Sequence, residues 1–442
     1  MSGSQSEIGI PAVYTQRRAR LAQLMQHGVA VVPTAPERLR NRDAHHPYRY
    51  DSYFYYLTGF PEPEAVLVLV AGAQGKSILF CRERDAEREI WDGFRYGSEQ
   101  AREKFGFDAA YPIAELDVLM PQLLADQPQL YCHLGDDPRW DERVLGWLNA
   151  VRAQVRGGIT APAEIHDVRV LVDGMRLIKD AHELAAMRRA ALISTGAHRR
   201  AMRTVKPGRC EYEIEAELLH EFRRLGAQAP AYMPIVAGGA NACVLHYVRN
   251  DALLKAGDLL LIDAGCEVDG YASDVTRTIP VSGVFGTVQR DVYQMVLAAQ
   301  TAAIAAVRPG ATWNVPHDTA VSVLAQGLID FGLCQGSVDK VIEAGDFKQF
   351  YMHRTGHWLG LDVHDAGDYK RDNQWRELKS GMVLTVEPGC YIRAGDGVPP
   401  QFAGIGIRIE DDVLVTASGN EVLTHAAPKT VAGIEALMQS GE

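Results

Sequence analysis

No apolar run in the sequence reaches the ~18 residues that a membrane-crossing helix needs. The N-terminus, MSGSQSEIGIPAVYTQRR, lacks the basic-then-apolar order of an export signal. These absences point to a cytoplasmic protein with no membrane partner. Positive charge is not in excess either: the net charge is -11 and the pI is near 5.7, which leaves no basic face for phosphates and excludes nucleic acid as a partner. Cysteine is sparse, with residues at 81, 132, 210, 243, 266, 334 and 390. An odd number without a C-x-x-C pair fits neither a disulfide framework nor a thiolate zinc site, so small buried thiols in a reducing compartment are expected. Short repeats and low-complexity segments are also missing.

What remains is the composition of an ordinary globular chain, 47% hydrophobic and 23% charged over 442 residues, long enough for two or three cores. In the first 175 residues, VAVVP, AVLVLVAG, SILFCRER and LYCHLG read as buried strands, and REKFGF and ELDVLMPQLL read as helices between them. This alternation predicts an α/β domain over 1–175. The pattern then changes. Lys179 to Val205 reads as one amphipathic helix stopped by Lys206-Pro207-Gly208, followed by helices over Glu211–Leu225, Val288–Val307 and Val315–Phe331, and then by a strand-rich end. Residues 176–442 are therefore expected to form an α+β domain.

The chemistry concentrates in strand-like segments. LLLIDAGCEVDGYASDVTRT, residues 259–278, reads as a strand, a turn around Val268-Asp269-Gly270 and a returning strand. Placed symmetrically about that turn, Asp263 and Asp274 should face each other, with Asp263 continuing the face of Leu259 and Leu261. Two acids on an apolar face repel and lose hydration unless a cation lies between them; the alternative from this segment alone is that one Asp starts a turn and the other caps it. Glu387, at the end of VLTVEPG, and Glu410, in GIGIRIEDD, repeat the arrangement; Arg408 shares the face of Glu410, a pairing that a salt-bridged surface strand would also explain, and Ile405, Ile407 and Ile409 take the other. Asp251, Asp258 and Asp269 read as turn residues, and Asp411 and Asp412 as solvated ones. Two Asp, two Glu and at least one His suit divalent Mn²⁺, Co²⁺ or Zn²⁺, and a pair of such ions suits hydrolysis.

HRTGHWLGLDVHD, residues 353–365, brings three histidines close in sequence. His353 and His357 have the i, i+4 spacing of a zinc helix. However, Gly356 and Gly360 each cost roughly 1 kcal/mol in a helix interior, and Leu359, Leu361 and Val363 alternate like a strand. On a strand, residues four apart lie ~13 Å from each other, too far to share one ion. The residues alone do not say which histidine binds metal. His246, in CVLHYVRND, reads as part of a short apolar strand. His45, His46, His198, His317 and His425 give no signal beyond surface or core.

The ordered set Asp263, Asp274, His357, Glu387 and Glu410 resembles the dinuclear metal site of the creatinase/methionine-aminopeptidase superfamily, whose fold is called pita-bread. HRTGHWLGLDVHD resembles the proline-peptidase signature of that group. With YRYDSYFYYLTGFPEPEAVLVL and GIGIRIEDD, it is similar to bacterial Xaa-Pro aminopeptidases. The resemblance implies a C-terminal pita-bread metallopeptidase domain behind a creatinase-like α/β domain, and two divalent ions, manganese before cobalt or zinc. It implies that Asp274 and Glu410 bridge the ions, that Asp263, His357 and Glu387 complete the set, and that Glu387 shuttles a proton. His246, His353, His364 and Arg408 fall at catalytic or substrate-contacting positions, and Tyr232 near them. The implied reaction is release of the first residue from peptides with proline second; a proline dipeptidase is the alternative. A homo-oligomer (dimer or tetramer) is also implied, with Asp43 and Trp91 as candidates to reach a neighbouring subunit's pocket; otherwise Asp43 is a loop cap and Trp91 a core aromatic.

Overall fold

The computed structural model describes residues 10–395 and 397–440. The chain folds as two compact units, Met1–Met175 and Arg176–Glu442. The first unit is built on a six-stranded mixed sheet. Gly28–Pro33 lies at its centre, antiparallel to Val66–Ala71 on one side and parallel to Gln129–Tyr131 on the other. Lys76–Cys81, Ala109–Pro112 and Glu164–His166 complete it. Both faces are apolar where helices cover them: Val29, Val31, Val66 and Ile78 pack with Met120 and Trp147 from the helices Leu116–Leu124 and Pro138–Arg152.

The second unit repeats one order twice: a pair of packed helices, then strands ending in acids. Ala181–Thr204 and Glu211–Arg224 precede Leu259–Asp263 and Thr276–Pro280. Thr287–Ala306 and Val315–Asp330 precede Val383–Val386, Ile405–Arg408 and Asp411–Val415. The first helix starts later than its periodicity predicts. The Asp180 carboxylate accepts from Glu183 N–H, and the Glu183 carboxylate accepts from Asp180 N–H. This capping box leaves Lys179 outside the helix, where its ammonium is buried against Asp365.

The hairpin carrying the two aspartates also departs from the expected register. Asp269 (φ 50°) and Gly270 (φ 79°) form the turn, so its centre lies one position later than the sequence reading placed it. Asp263 therefore pairs with Thr276, not with Asp274. The pairing shifts by two residues, and because side chains alternate with period two, Asp274 stays on the face of Asp263. Strand Leu259–Asp263 is central, between Ile235–Gly238 and Thr276–Pro280. Leu260 and Ile262 join the large core against the helices, and Leu261 joins Ile235, Ala237 and Tyr391 on the side of Asp263.

Six of the seven cysteines are buried, Cys210 is half-buried and all are free. No described helix is long and apolar enough to cross a membrane.

Candidate metal centre and active site

The two halves of the second unit meet where strand Ile405–Arg408 runs beside Thr276–Pro280. Glu410 N–H donates to Thr276 O (3.0 Å), and Thr278 Oγ1 donates to Arg408 O (3.0 Å). This contact brings Glu410 and Arg408 onto the aspartate face. From the other side, the histidine segment lies against Val383–Val386: Thr385 N–H donates to His357 O, Leu359 N–H to Val383 O and Glu387 N–H to Thr355 O (3.0, 3.1 and 2.8 Å). The segment is thus extended over residues 355–359, where its carbonyls and amides carry Glu387 in beside His357, but from Gly360 to His364 it bends and closes back on Trp358 O instead of continuing the alternation of Leu359, Leu361 and Val363. Gly356 permits the approach, since a Cβ there would overlap the Thr385 carbonyl oxygen.

Asp263, Asp274, His357, Glu387 and Glu410 all line one cavity of about 780 Å³. Ligand atoms of Asp274, His357 and Glu410 lie within 4.8 Å of one another. His357 Nδ1 donates to Trp358 O (2.9 Å), which leaves Nε2 facing the acids, 3.4 Å from Asp274 Oδ2 and 3.8 Å from Glu387 Oε1. That tautomer is the one a metal-binding imidazole needs. Tyr232 OH lies 2.6 Å from Asp263 Oδ1 and 2.5 Å from Asp274 Oδ1. A hydroxyl has one proton and can satisfy only one of those two oxygens.

Electrostatics tell the same story. Burial, reinforced by Asp274, Glu387 and Asp263, pushes the Glu410 carboxyl far above its usual range. Burial raises Glu387 to about 7 against the pull of His357 and Arg408. Asp263 is also raised by burial despite Arg408. Asp274 is lowered even though burial opposes it, because His357 and Tyr232 hydrogen-bond to it. His357 is raised to about 9, burial being outweighed by Asp274 and Glu387. Three buried carboxylates and the half-buried Glu387, which repel one another and are met by one imidazole of the right tautomer, form a donor set that fits divalent cations.

Around this set the structure places the other sequence candidates. Arg408 donates to Asp263 Oδ2 (2.6 Å), to Tyr391 OH (3.0 Å) and to Thr276 Oγ1 (3.2 Å), whose hydroxyl donates to Glu410 Oε2 (2.6 Å). His353 Nδ1 donates to Arg354 O (2.7 Å), so Nε2 accepts from Tyr391 OH (2.8 Å); Nδ1 is also 3.8 Å from Glu387 Oε2. Burial and Arg408 lower His353 to about 3, which keeps it neutral. His364 stacks edge-on to the His357 ring at 4.3 Å. His246 also lines the cavity, but from an exposed turn after the short helix Gly239–Cys243, not from the apolar strand that its neighbours predict.

Asp411 and Asp412, expected in solvent, are both buried. Asp411 is paired with Arg277 and Lys429 (2.7 Å each). Asp412 accepts Asp274 N–H at 3.2 Å, and burial next to Asp274 pushes it well above the usual carboxylate range. Tyr391, Thr276, Thr385 and Asp412 are parts of the site that sequence reasoning missed. Only their presence in alternating strands next to Glu387, Asp274 and Glu410 could have signalled them.

In the first unit, Asp43 lies in the exposed turn between Leu39–Asn41 and Ala44–His45. Trp91 is 84% exposed on helix Ala86–Asp92, so it is not a core aromatic.

Comparison with known proteins agrees with this architecture. Residues 185–417 match metallopeptidase family M24, and residues 14–131 match the N-terminal domain of aminopeptidase P. The chain is 45% identical over 427 residues to a Xaa-Pro aminopeptidase of Haemophilus influenzae, covering 96% of each, and 44% identical over 435 residues to one of Escherichia coli, covering 98% of each. It superposes on an aminopeptidase structure from Pseudomonas aeruginosa with a TM-score of 0.95 and 50% identity, over 97% of this chain and 98% of that one. A zinc-substituted Escherichia coli aminopeptidase P bound to product gives a TM-score of 0.95 at 45% identity, over 98% and 99%. By sequence, fold and the convergence of its buried acids, the chain belongs to metallopeptidase family M24.

Proposed function

We propose that the chain is a metal-dependent aminopeptidase that releases the first residue from peptides with proline at the second position. The observation that carries this reading is the convergence in one cavity of four carboxylates, three of them buried, with His357, whose Nδ1–H is fixed on a carbonyl. Asp263, Asp274, His357, Glu387 and Glu410 would hold two divalent ions, Mn²⁺ before Co²⁺ or Zn²⁺, with Asp274 and Glu410 between them. Such ions supply a hydroxide near neutral pH and polarise the scissile carbonyl.

The protein's own groups do the rest. Glu387 takes a proton and returns it to the leaving proline nitrogen. His353 is neutral, fixed in one tautomer by Arg354 O and Tyr391, and sits on the Glu387 side, where it holds the leaving half of the substrate. His364 stacks on His357 and holds the peptide from the opposite wall. His246 brings a ring nitrogen to the cavity as a donor to the developing oxyanion. Arg408 neutralises Asp263 and, through Thr276, orients Glu410. The apolar wall of Ile235, Leu245 and Val248 receives side chains of the peptide.

We further infer a cytoplasmic homo-oligomer, dimer or tetramer, in which the exposed Asp43 and Trp91 serve a neighbouring subunit's pocket. The competing reading, a proline dipeptidase with the same donors, is favoured neither by the relatives' names nor by the open cavity. Turnover of a Xaa-Pro-Pro tripeptide against a Xaa-Pro dipeptide separates the two. The tripeptide is cut at its first bond and the dipeptide far more slowly; cleavage of the dipeptide alone reverses the assignment.

A further inference from the structure

Arg354 stands between His353 and His357 and lines the cavity. No described acid pairs with its guanidinium, although the chain carries a net charge of -11. The guanidinium instead lies 4.9 Å from the Trp375 ring centroid. Lys370 Nζ sits 4.1 Å from the same ring, and Lys370 and Trp375 face each other in a short hairpin. One indole thus holds two cations at the edge of the histidine segment.

The charges elsewhere in the cavity are already matched. Arg408 is taken up by Asp263, Asp362 is paired with Arg176 (2.7 Å), and the remaining acids belong to the proposed metal ligands. Among the described residues, Arg354 remains a cation that lines the cavity with Trp375 beside it and no acidic partner. Its end of the cavity is defined by its neighbour His353, which lies 3.8 Å from Glu387, the group that returns a proton to the leaving nitrogen. An extended chain advances about 3.3–3.6 Å per residue, so a carboxylate one residue beyond the proline comes within reach of an arginine side chain there.

We propose that Arg354 is a specificity-determining residue that binds a carboxylate on the leaving portion of the peptide. That carboxylate is either the free C-terminus of a Xaa-Pro-Yaa tripeptide or an acidic side chain at the third position. The proposal rests on the Xaa-Pro reading of the site.

The test uses the full-length, Mn²⁺-loaded protein and two substrate pairs: Ala-Pro-Gly as the free acid and as the amide, and Ala-Pro-Glu-amide against Ala-Pro-Gln-amide. The wild type favours the charged member of at least one pair by about 5- to 10-fold in kcat/KM, through KM. A preference confined to the first pair assigns the chain terminus, and one present in the second assigns the acidic side chain. In Arg354→Ala each ratio falls to about one, and in Arg354→Glu it inverts. Calorimetric binding of the same peptides to Glu387→Gln gives the ratios without turnover, so failure of the catalytic reading is told apart from failure of this one. Equal binding of charged and neutral members by the wild type, or a preference that survives in Arg354→Ala, overturns the proposal.

Discussion

Asp365 is the hinge between the histidine segment and the start of the second unit, and removing its carboxylate should be among the most damaging single changes outside the metal centre. Oδ1 accepts from Arg176 (2.6 Å) and Oδ2 from Lys179 (2.7 Å), and the side chains of all three are 1% exposed. Burial opposes ionisation of Asp365, but Lys179 and Arg176 hold its carboxyl below the ordinary value. In Asp365→Ala, Arg176 keeps Asp362 as a partner, whereas the Lys179 ammonium retains only the Arg176 carbonyl (2.7 Å). Stranding a buried charge in this way costs about 3–5 kcal/mol. For a unit of this size each kcal/mol lowers Tm by about 2–4 °C, so a fall of roughly 6–20 °C is expected in a thermal scan of the metal-loaded protein. Activity measured well below that transition should fall as well. Asp365 N–H donates to Trp358 O (2.9 Å), and the loop so closed carries His357 at one end and His364 at the other. The pair must also be non-additive: Lys179→Met with Asp365→Ala should cost less than the two singles summed, because neither charge is then left alone. A Tm change under about 2 °C for Asp365→Ala, or strict additivity, would refute this reasoning.

The other predictions concern acid, metal and backbone. Burial opposes ionisation of Asp411, yet Arg277 and Lys429 lower it from 3.8 to about 2, so its stabilising effect is complete above the unfolded value and is lost as pH falls from about 4 through 2. The Tm gap between wild type and Asp411→Asn should therefore narrow over that window, and a gap that widens on acidification contradicts the pairing. In the metal-free protein His357 and part of Glu387 are protonated near pH 6.5, so titrating Mn²⁺ into a weakly buffered solution should release more than one proton per chain. A dye-monitored titration with no release would mean that these groups do not bind the ion. Asp274→Ala should abolish peptide cleavage while circular dichroism stays native, and normal turnover would show the ligand set to be wrong. Gly356→Ala places a methyl group onto the Thr385 carbonyl, pushes the histidine segment off its neighbouring strand and should lower kcat/KM at least tenfold. Full activity in that variant would mean the segment tolerates the shift.

The sequence shows those parts of the site that depend on alternation. Asp263 and Asp274 share a face because side chains alternate, and that conclusion survives an error of one position in the turn centre, since the resulting two-residue slip preserves parity. That the histidine segment is not a helix is legible on local grounds, because two glycines make a zinc helix unfavourable; the bend over residues 360–364, which breaks the strand-like alternation, is not. His246 fails the same treatment, because an apolar neighbourhood of five residues is too short to separate a strand from an exposed turn.

Asp411 and Asp412 mark where local reasoning ends. Adjacent acids after a strand read as solvated because no nearby residue neutralises them; the groups that do lie far along the chain. Arg277 comes from the other half of the unit, Lys429 from the segment before the last helix, and the Asp274 amide from the aspartate hairpin. Arg277 also donates to the Glu410 carbonyl (2.5 Å), so the same cation that buries Asp411 fixes the backbone next to a proposed metal ligand. Burial of Asp411 and placement of Glu410 are thus one event, the docking of one half of the unit on the other. Of the acids that sequence reading assigned to the metal, Asp263 and Glu387 end runs of apolar residues, which marks them on local grounds. Those it assigned to solvent are held by contacts that exist only once the two halves have met.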